Sequence, residues 1–190
     1  AAVIFSPAGT VSTADRVATF NSLTANGISL SSYSENNLSI TVGGSTFQGF
    51  AAFAPGDPRT TGFHYAASGN SSYVTIKLTD GGDFTALQFL LGNGQGSSLT
   101  NLRWQAYRNG DLVNSGLESG LTKGSTIGWT ELTGFDELRV AAAASESSPG
   151  FGNHQAIAID DLRVTLIPEP SSHLLLGLGA LAIVALRRRN

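Results

Sequence analysis

The chain has 190 residues, of which 41% are apolar and only 13% are charged. This apolar content is sufficient for a hydrophobic core and excludes an intrinsically disordered chain. The net charge of −3 gives no electrostatic reason to expect a nucleic-acid partner. Because the chain has no cysteine, disulfide frameworks, zinc–thiolate sites and thiol nucleophiles are excluded as well.

The first residues of the chain, Ala1–Phe5, have neither the basic start nor the long apolar run of a secretory signal peptide. A small residue is what signal cleavage commonly leaves at the cut, so we expect the numbering to begin at a mature N-terminus. Glycine accounts for 23 of the 190 residues. With so few charges, this composition favours a turn-rich β protein over a helical one.

The predicted elements of the body are nearly all strands, because apolar and polar residues alternate with a period of two. In the clearest example, Val74, Ile76 and Leu78 share one face and polar residues lie between them. One short helix is expected over Thr13–Thr24. The predicted strands cover residues 2–5, 27–33, 37–42, 46–53, 73–79, 84–91, 102–107, 111–116, 126–133, 136–143 and 156–167.

Turn signals separate these strands at intervals of roughly ten residues. Asn109-Gly110 predicts a type I′ hairpin, since both central residues of that turn need a positive φ. Asp80–Asp83 contains two glycines and predicts a second turn. With no long amphipathic helix between the strands, the pattern predicts an all-β fold, an antiparallel β-sandwich or jelly roll, followed by a C-terminal hydrophobic helix.

The last predicted strand of the body changes its apolar parity. Ile157 and Ile159 lie on one parity, whereas Leu162 and Val164 lie on the other. A regular strand cannot direct both sets to one core. The change falls at Asp160–Asp161, which predicts a β-bulge there. The alternative is a strand that is buried on both faces.

The end of the chain differs in composition from the body. Two prolines interrupt any regular element at residues 167–172 and predict an extended linker. The run Leu174–Leu186 is apolar or glycine throughout and would rise about 20 Å as a helix, less than the hydrocarbon core of a bilayer. Three basic residues then follow, namely Arg187, Arg188 and Arg189.

These features divide the chain into a β-sandwich domain, residues 1–166, and a tail, residues 167–190. The alternatives for the tail are a C-terminal core helix and an ordinary tail anchor. If the apolar run enters the inner membrane, the positive-inside rule keeps the arginines cytoplasmic and places the body outside. The apolar run is short for a permanent anchor, which agrees with a segment that is removed.

The tail resembles the PEP-CTERM sorting signal in the order of its three parts: Pro168, Glu169 and Pro170, then the apolar run, then the arginine cluster. The resemblance implies that an exosortase recognises the tail and cleaves it near the prolines. It also implies an exported protein, transiently anchored in the inner membrane and then placed at the cell surface or outside the cell. Such proteins are typical of bacteria that make exopolysaccharide.

The closing strand Ala156–Leu162 is similar to that of MAM-type and carbohydrate-binding jelly rolls. In those domains the corresponding position often holds a structural calcium ion. Asp160 and Asp161 would supply carboxylate oxygens, which Ca²⁺ prefers. The alternative is that both carboxylates accept backbone hydrogen bonds at the bulge.

A carbohydrate site would need exposed aromatic rings beside hydrogen-bonding groups. Trp104 is in phase with the core residues of its strand and is expected to be buried. Trp129, Phe63 and Tyr65 are the candidates for exposed rings. The alternative is that these rings pack at the ends of the sandwich.

The sequence gives little reason to expect an enzyme. His64 and His154 are isolated, and no nucleophile elbow or phosphate loop is present. The leading hypothesis is a non-catalytic protein of the cell surface or extracellular matrix, associated with exopolysaccharide or biofilm. The alternatives are a carbohydrate-binding module, a self-assembling subunit that adds Ala1–Phe5 to a neighbouring sheet edge, and a glycoside hydrolase with two carboxylates at a groove.

Overall fold

The structure is a computed structural model that describes residues 2–23, 29–30, 32–43, 50–53, 64–67, 73–93, 99–143, 154–155 and 157–167. These residues form two antiparallel β-sheets packed face to face. The prediction of an all-β antiparallel sandwich is therefore confirmed. The predicted C-terminal helix and the whole sorting tail beyond residue 167 lie outside the described residues.

The strands have the following bounds in chain order: β1 Ile4–Ser6, β2 Arg16–Ala18, β3 Ser29–Leu30, β4 Ser32–Glu35, β5 Leu38–Gly43, β6 Phe50–Phe53, β7 His64–Ala67, β8 Tyr73–Leu78, β9 Phe84–Asn93, β10 Leu99–Arg108, β11 Asp111–Thr122, β12 Thr126–Phe135, β13 Glu137–Ala143, β14 His154–Gln155 and β15 Ile157–Leu166. The first sheet has the order β1-β12-β9-β15-β7-β6-β3, and β2 also pairs with β15. The second sheet has the order β11-β10-β13-β8-β5-β4, and β14 also pairs with β13.

The core lies between the inner faces of the two sheets. Its centre is aromatic: the Trp129 ring of the first sheet lies 6.3 Å from Trp104 of the second, and Phe5 and Phe89 lie 5.5 and 5.4 Å from Trp129. Both tryptophans are buried, at 0% exposure for Trp129 and 4% for Trp104. The burial expected for Trp104 from the phase of its strand is confirmed.

The Asn109-Gly110 hairpin between β10 and β11 has the predicted geometry, with φ of 52° and 85° at its two central residues. The helix predicted over Thr13–Thr24 is wrong. This segment contains β2, which pairs with β15 of the first sheet. After β2 the chain turns at Phe20 with a φ of 57°, and the Glu35 carboxylate accepts the N–H groups of Thr19 and Phe20 at 3.0 and 2.9 Å.

The two core tryptophans differ in how their indole N–H groups are satisfied. Trp104 Nε1 donates to Glu118 Oε1 at 3.0 Å, whereas Trp129 Nε1 is buried with no hydrogen-bond partner among the described residues. We expect Trp104→Phe to lower the free energy of unfolding by about 1 kcal/mol more than Trp129→Phe. Only the first change removes a made hydrogen bond, while the second removes an unsatisfied donor. Urea unfolding followed by the fluorescence of the remaining tryptophan measures both, and an equal loss would contradict this.

Candidate functional site

The β-bulge predicted in the last strand is present. The register of β15 against β9 shifts between Asp160 and Arg163, and Asp161 has a φ of 47°. On either side of the shift, Ile159 and Leu162 are both fully buried although they lie on opposite parities. The bulge also lies where β15 changes partners, from β7 at residues 157–159 to β2 at residues 162–164.

Both carboxylates of the bulge contact protein groups. Asp160 is buried at 5% exposure, and its Oδ1 accepts the Asp161 N–H at 2.7 Å. Arg163 Nε lies 3.0 Å from each carboxylate oxygen of Asp161. Within the ranges that the structure describes, no three His, Cys, Asp or Glu residues are grouped as metal ligands. Calcium binding by Asp160 and Asp161 stays a prediction, which a melting temperature lowered by EDTA would support.

We expect the backbone at Asp161 to matter more for stability than its charge. Asp161→Asn keeps a residue that tolerates a positive φ and loses only a half-exposed ion pair, so it should change the free energy of unfolding by less than about 1 kcal/mol. Asp161→Val should cost about 2 kcal/mol or more, because a β-branched residue is strained at this φ. Urea unfolding of the two variants compares these effects, and equal losses would contradict the backbone explanation.

Of the three aromatic candidates from the sequence, the structure describes the side chain of Trp129. Trp129 is fully buried, so the prediction that it presents an exposed ring is wrong. The strand β12 continues through Trp129 in phase with buried Ile127, which directs the indole into the core. Tyr65 lies in β7, paired with Ile159 of β15, and Phe63 lies outside the described residues.

The residues Asp80–Asp83 form the turn predicted between β8 and β9. Asp80 Oδ1 accepts the Gly82 N–H at 3.0 Å, and this bond lowers the pKa of Asp80. Gly81 has a φ of 76°, as the turn requires. Burial, with the nearby charge of Asp136, raises the pKa of Asp83. The Asp80 carboxylate therefore has a local structural role.

A polar and aromatic surface that the sequence candidates did not include lies on the outer face of the second sheet. We call it the tyrosine–arginine face. Its side chains come from three adjacent strands and point away from the core: Tyr73, Thr75 and Lys77 on β8, Glu137 and Arg139 on β13, and Gln105 and Tyr107 on β10.

The strand register brings these residues into two rows across the sheet. Glu137 pairs with Lys77 on one side and with Tyr107 on the other. Arg139 likewise pairs with Thr75 and with Gln105. The rows place charged, amide and aromatic side chains of different strands within contact distance of one another.

The centre of this face is Arg139, whose guanidinium carbon lies 4.3 Å from the Tyr107 ring centroid and 5.4 Å from that of Tyr73. Its Nε donates to Glu137 Oε1, and its Nη1 donates to the Tyr107 hydroxyl at 3.3 Å. Burial alone would lower the pKa of Arg139, but Glu137 and the two tyrosines raise it above its ordinary value. The guanidinium is therefore held in place and charged.

Three further contacts lie at the edges of the face. Lys77 Nζ lies 2.5 Å from Glu137 Oε2, so the nearly buried Glu137 carboxylate binds two cations. The Tyr107 hydroxyl donates to Gln105 Oε1 at 2.9 Å. The Tyr73 ring lies against Gly43 of β5, where any side chain would collide with it.

One signal in the sequence could have found this face. Tyr73, Lys77 and Tyr107 are out of phase with the core residues of their strands, which predicts outward side chains. The sequence does not contain the strand order that places β13 between β8 and β10. Without that order the three residues could not be assigned to one surface.

Comparison with known proteins identifies the tail. Residues 166–189 match the model of the PEP-CTERM protein-sorting motif. None of the curated proteins is similar in sequence to this chain. In the part of the chain that the structure describes, no helix has the length and apolar character needed to cross a membrane.

Several solved structures are similar to this chain at low sequence identity. GH31 CBM32-2 bound to GalNAc is 14% identical with a TM-score of 0.41, covering 68% of this chain and 99% of that one. The structure of the CBM32-1, CBM32-2 and M60 catalytic domains of Clostridium perfringens ZmpB is 13% identical with a TM-score of 0.42. The match covers 80% of this chain and 17% of that one. The CBM22-1 xylan-binding domain of Paenibacillus barcinonensis Xyn10C is 13% identical with a TM-score of 0.36. The match covers 85% of this chain and 98% of that one.

All three TM-scores are below 0.5, so these likenesses identify no ligand for this chain. The motif match is of a different kind, because it covers the complete order of prolines, apolar run and arginines. A protein-sorting signal of this type indicates an exported protein. The chain thus carries a PEP-CTERM protein-sorting motif at residues 166–189, directly after the last strand of an antiparallel β-sandwich.

Proposed function

We propose that this chain is a non-catalytic protein of the cell surface or extracellular matrix, sorted by an exosortase and associated with exopolysaccharide. The observation that carries the proposal is the PEP-CTERM motif at residues 166–189. Exosortase is the partner that the motif implies. In this proposal the sandwich is the domain that functions outside the cell, and the tail is the signal that directs its sorting.

The junction between sandwich and tail supports this division. The last strand ends at Leu166, whose N–H donates to Asp15 Oδ2 at 2.8 Å. Ile167 follows with its N–H 3.3 Å from the Asp83 carbonyl oxygen. A cut at Pro168–Pro170 would therefore leave every strand and both of these contacts in the released domain.

The buried acidic residues support a non-catalytic sandwich over a glycosidase. Glu131 is bound by Arg108 and accepts hydrogen bonds from the Thr133 hydroxyl at 2.8 and 3.0 Å. Burial alone would raise the pKa of Glu131, but Thr133 and Arg108 outweigh it and lower that pKa. Glu137 is bound by Lys77 and Arg139. A glycosidase needs one carboxyl group with a raised pKa to act as the acid, and the pKa of Glu131 is shifted in the opposite direction.

Self-assembly is a second candidate function, favoured by the position of β1. This three-residue strand pairs with β12 and forms an edge of the first sheet. Ile4 and Leu132 are 65% and 91% exposed at this edge. Exchange of β1 between copies would keep its pairing and bury these side chains. Because Val3 and Phe5 also pack in the core, a test by deletion of residues 1–6 must include a check of folding.

We expect cells that contain an exosortase to shorten the exported chain. Expressed behind a secretory signal, the chain should lose about 2 kDa, since roughly 20 of its 190 residues, 19.7 kDa in total, would be removed. The triple variant Pro168→Ala, Glu169→Gln and Pro170→Ala should keep its full mass and stay with the membrane fraction. Intact-mass spectrometry of cell fractions measures this.

Two controls complete the experiment. Pro7→Ala changes an exposed proline outside the motif and should be processed like the unchanged chain. A strain without the exosortase should accumulate the full-length form. Equal processing of the triple variant, or processing without the exosortase, would contradict the proposed sorting route.

A further inference from the structure

The tyrosine–arginine face carries an excess of positive charge on a chain whose net charge is −3. Its side chains include two cations, Lys77 and Arg139, and one carboxylate, Glu137. Its other side chains, on Tyr73, Thr75, Gln105 and Tyr107, carry hydroxyl or amide groups. This face therefore attracts anions while the molecule as a whole repels them.

The cations are already ordered. Glu137 binds Lys77 and Arg139 together, and the guanidinium lies between two tyrosine rings. A ligand that binds here immobilises fewer side chains than it would on an ordinary surface, which lowers the entropic cost of binding. The Lys77 side chain is still 51% exposed and that of Arg139 is 32% exposed.

Donors remain for a ligand after these internal contacts are made. The contacts of Arg139 with Glu137 and Tyr107 use Nε and Nη1, and a guanidinium also carries the two N–H groups of Nη2. An ammonium has three N–H groups, so the ion pair of Lys77 with Glu137 does not exhaust it. The planar N–H donors of the guanidinium match the geometry of a carboxylate.

We propose that the tyrosine–arginine face binds an acidic polysaccharide, with the tyrosine rings under sugar rings and Arg139 and Lys77 on sugar carboxylates. The inference rests on the proposed association with exopolysaccharide and names the class of polymer and the site. The three strands of this face, at a spacing of about 4.8 Å, span about 10 Å between the outer two, which is wide enough for an extended sugar chain. Amphipathic tyrosine rings beside hydrogen-bonding groups suit sugars.

A peptide strand fits this surface less well. The backbone groups of β8, β13 and β10 are paired within the sheet, because each of these strands has a neighbour on both sides. Strand addition requires a free edge, which the middle of a sheet does not offer. Recognition here must come from side chains, and their set is aromatic, cationic and hydroxyl-bearing.

The experiment uses the full chain purified in a mild detergent and titrated with polygalacturonate by calorimetry. Neutral dextran and polyglutamate serve as the uncharged-sugar and acidic-peptide probes. We expect polygalacturonate to bind at least about tenfold more tightly than either, and more weakly as salt is added. Because the titration needs no sorting, its result is independent of whether the exosortase route is correct.

Variants locate the binding. Arg139→Gln and Tyr107→Ala should each weaken polygalacturonate binding about tenfold, and Lys77→Gln about threefold. Arg16→Gln is the matched charge control, because Arg16 lies in β2 of the other sheet. Melting curves confirm folding, and the exposed Lys77 position keeps the test valid if Arg139→Gln is unstable.

Three results would overturn the proposal. The first is no binding of polygalacturonate by a chain that melts cooperatively. The second is binding of dextran or of polyglutamate as tight as that of polygalacturonate. Equal binding of dextran would show that the ligand needs no charge, and equal binding of polyglutamate would show that it need not be a sugar. The third is an equal loss of affinity in Arg16→Gln and Lys77→Gln, which would assign the binding to overall charge and not to this face.

Discussion

The bulge at Asp160–Asp161 is the constraint on which the first sheet depends. The strand β15 holds apolar residues of both parities, and only a change of phase lets Ile159 and Leu162 reach the same core. The same irregularity lets β15 pair with β7 before the bulge and with β2 after it, while β9 follows the opposite edge. One residue with a positive φ thus lies where β15, which pairs with three strands, changes its neighbour.

The two sheets use their faces differently. Their inner faces are apolar and meet around the two tryptophans, whereas the outer face of the second sheet holds an ordered network of charge and aromatic rings. Ion pairs whose cations are partly exposed contribute little to stability, because solvent screens the attraction and both side chains must be ordered. The arrangement around Glu137 is therefore better explained by positional order than by stability, as a surface that recognises another molecule would require.

The sequence was sufficient for features that depend on local pattern. The alternation around Trp104, the Asn109-Gly110 turn and the parity change at Asp160 each predicted the observed structure, because strand phase and turn geometry are set by neighbouring residues. Trp129 was assigned wrongly, since flanking Gly128 and Thr130 imitate a strand end while pairing with β9 continues the strand. The tyrosine–arginine face depends on strand order, which is a property of the whole chain.

The position of β15 has a consequence for how this protein is made. The strand pairs with β9, β7 and β2, yet it is the last strand before the sorting motif. A chain that crosses a membrane from its N-terminus delivers β2, β7 and β9 first, and their shared neighbour arrives after them. The first sheet can close only when translocation has nearly reached the tail. On the sorting route proposed above, the final step of folding would then take place while the tail is still at the membrane.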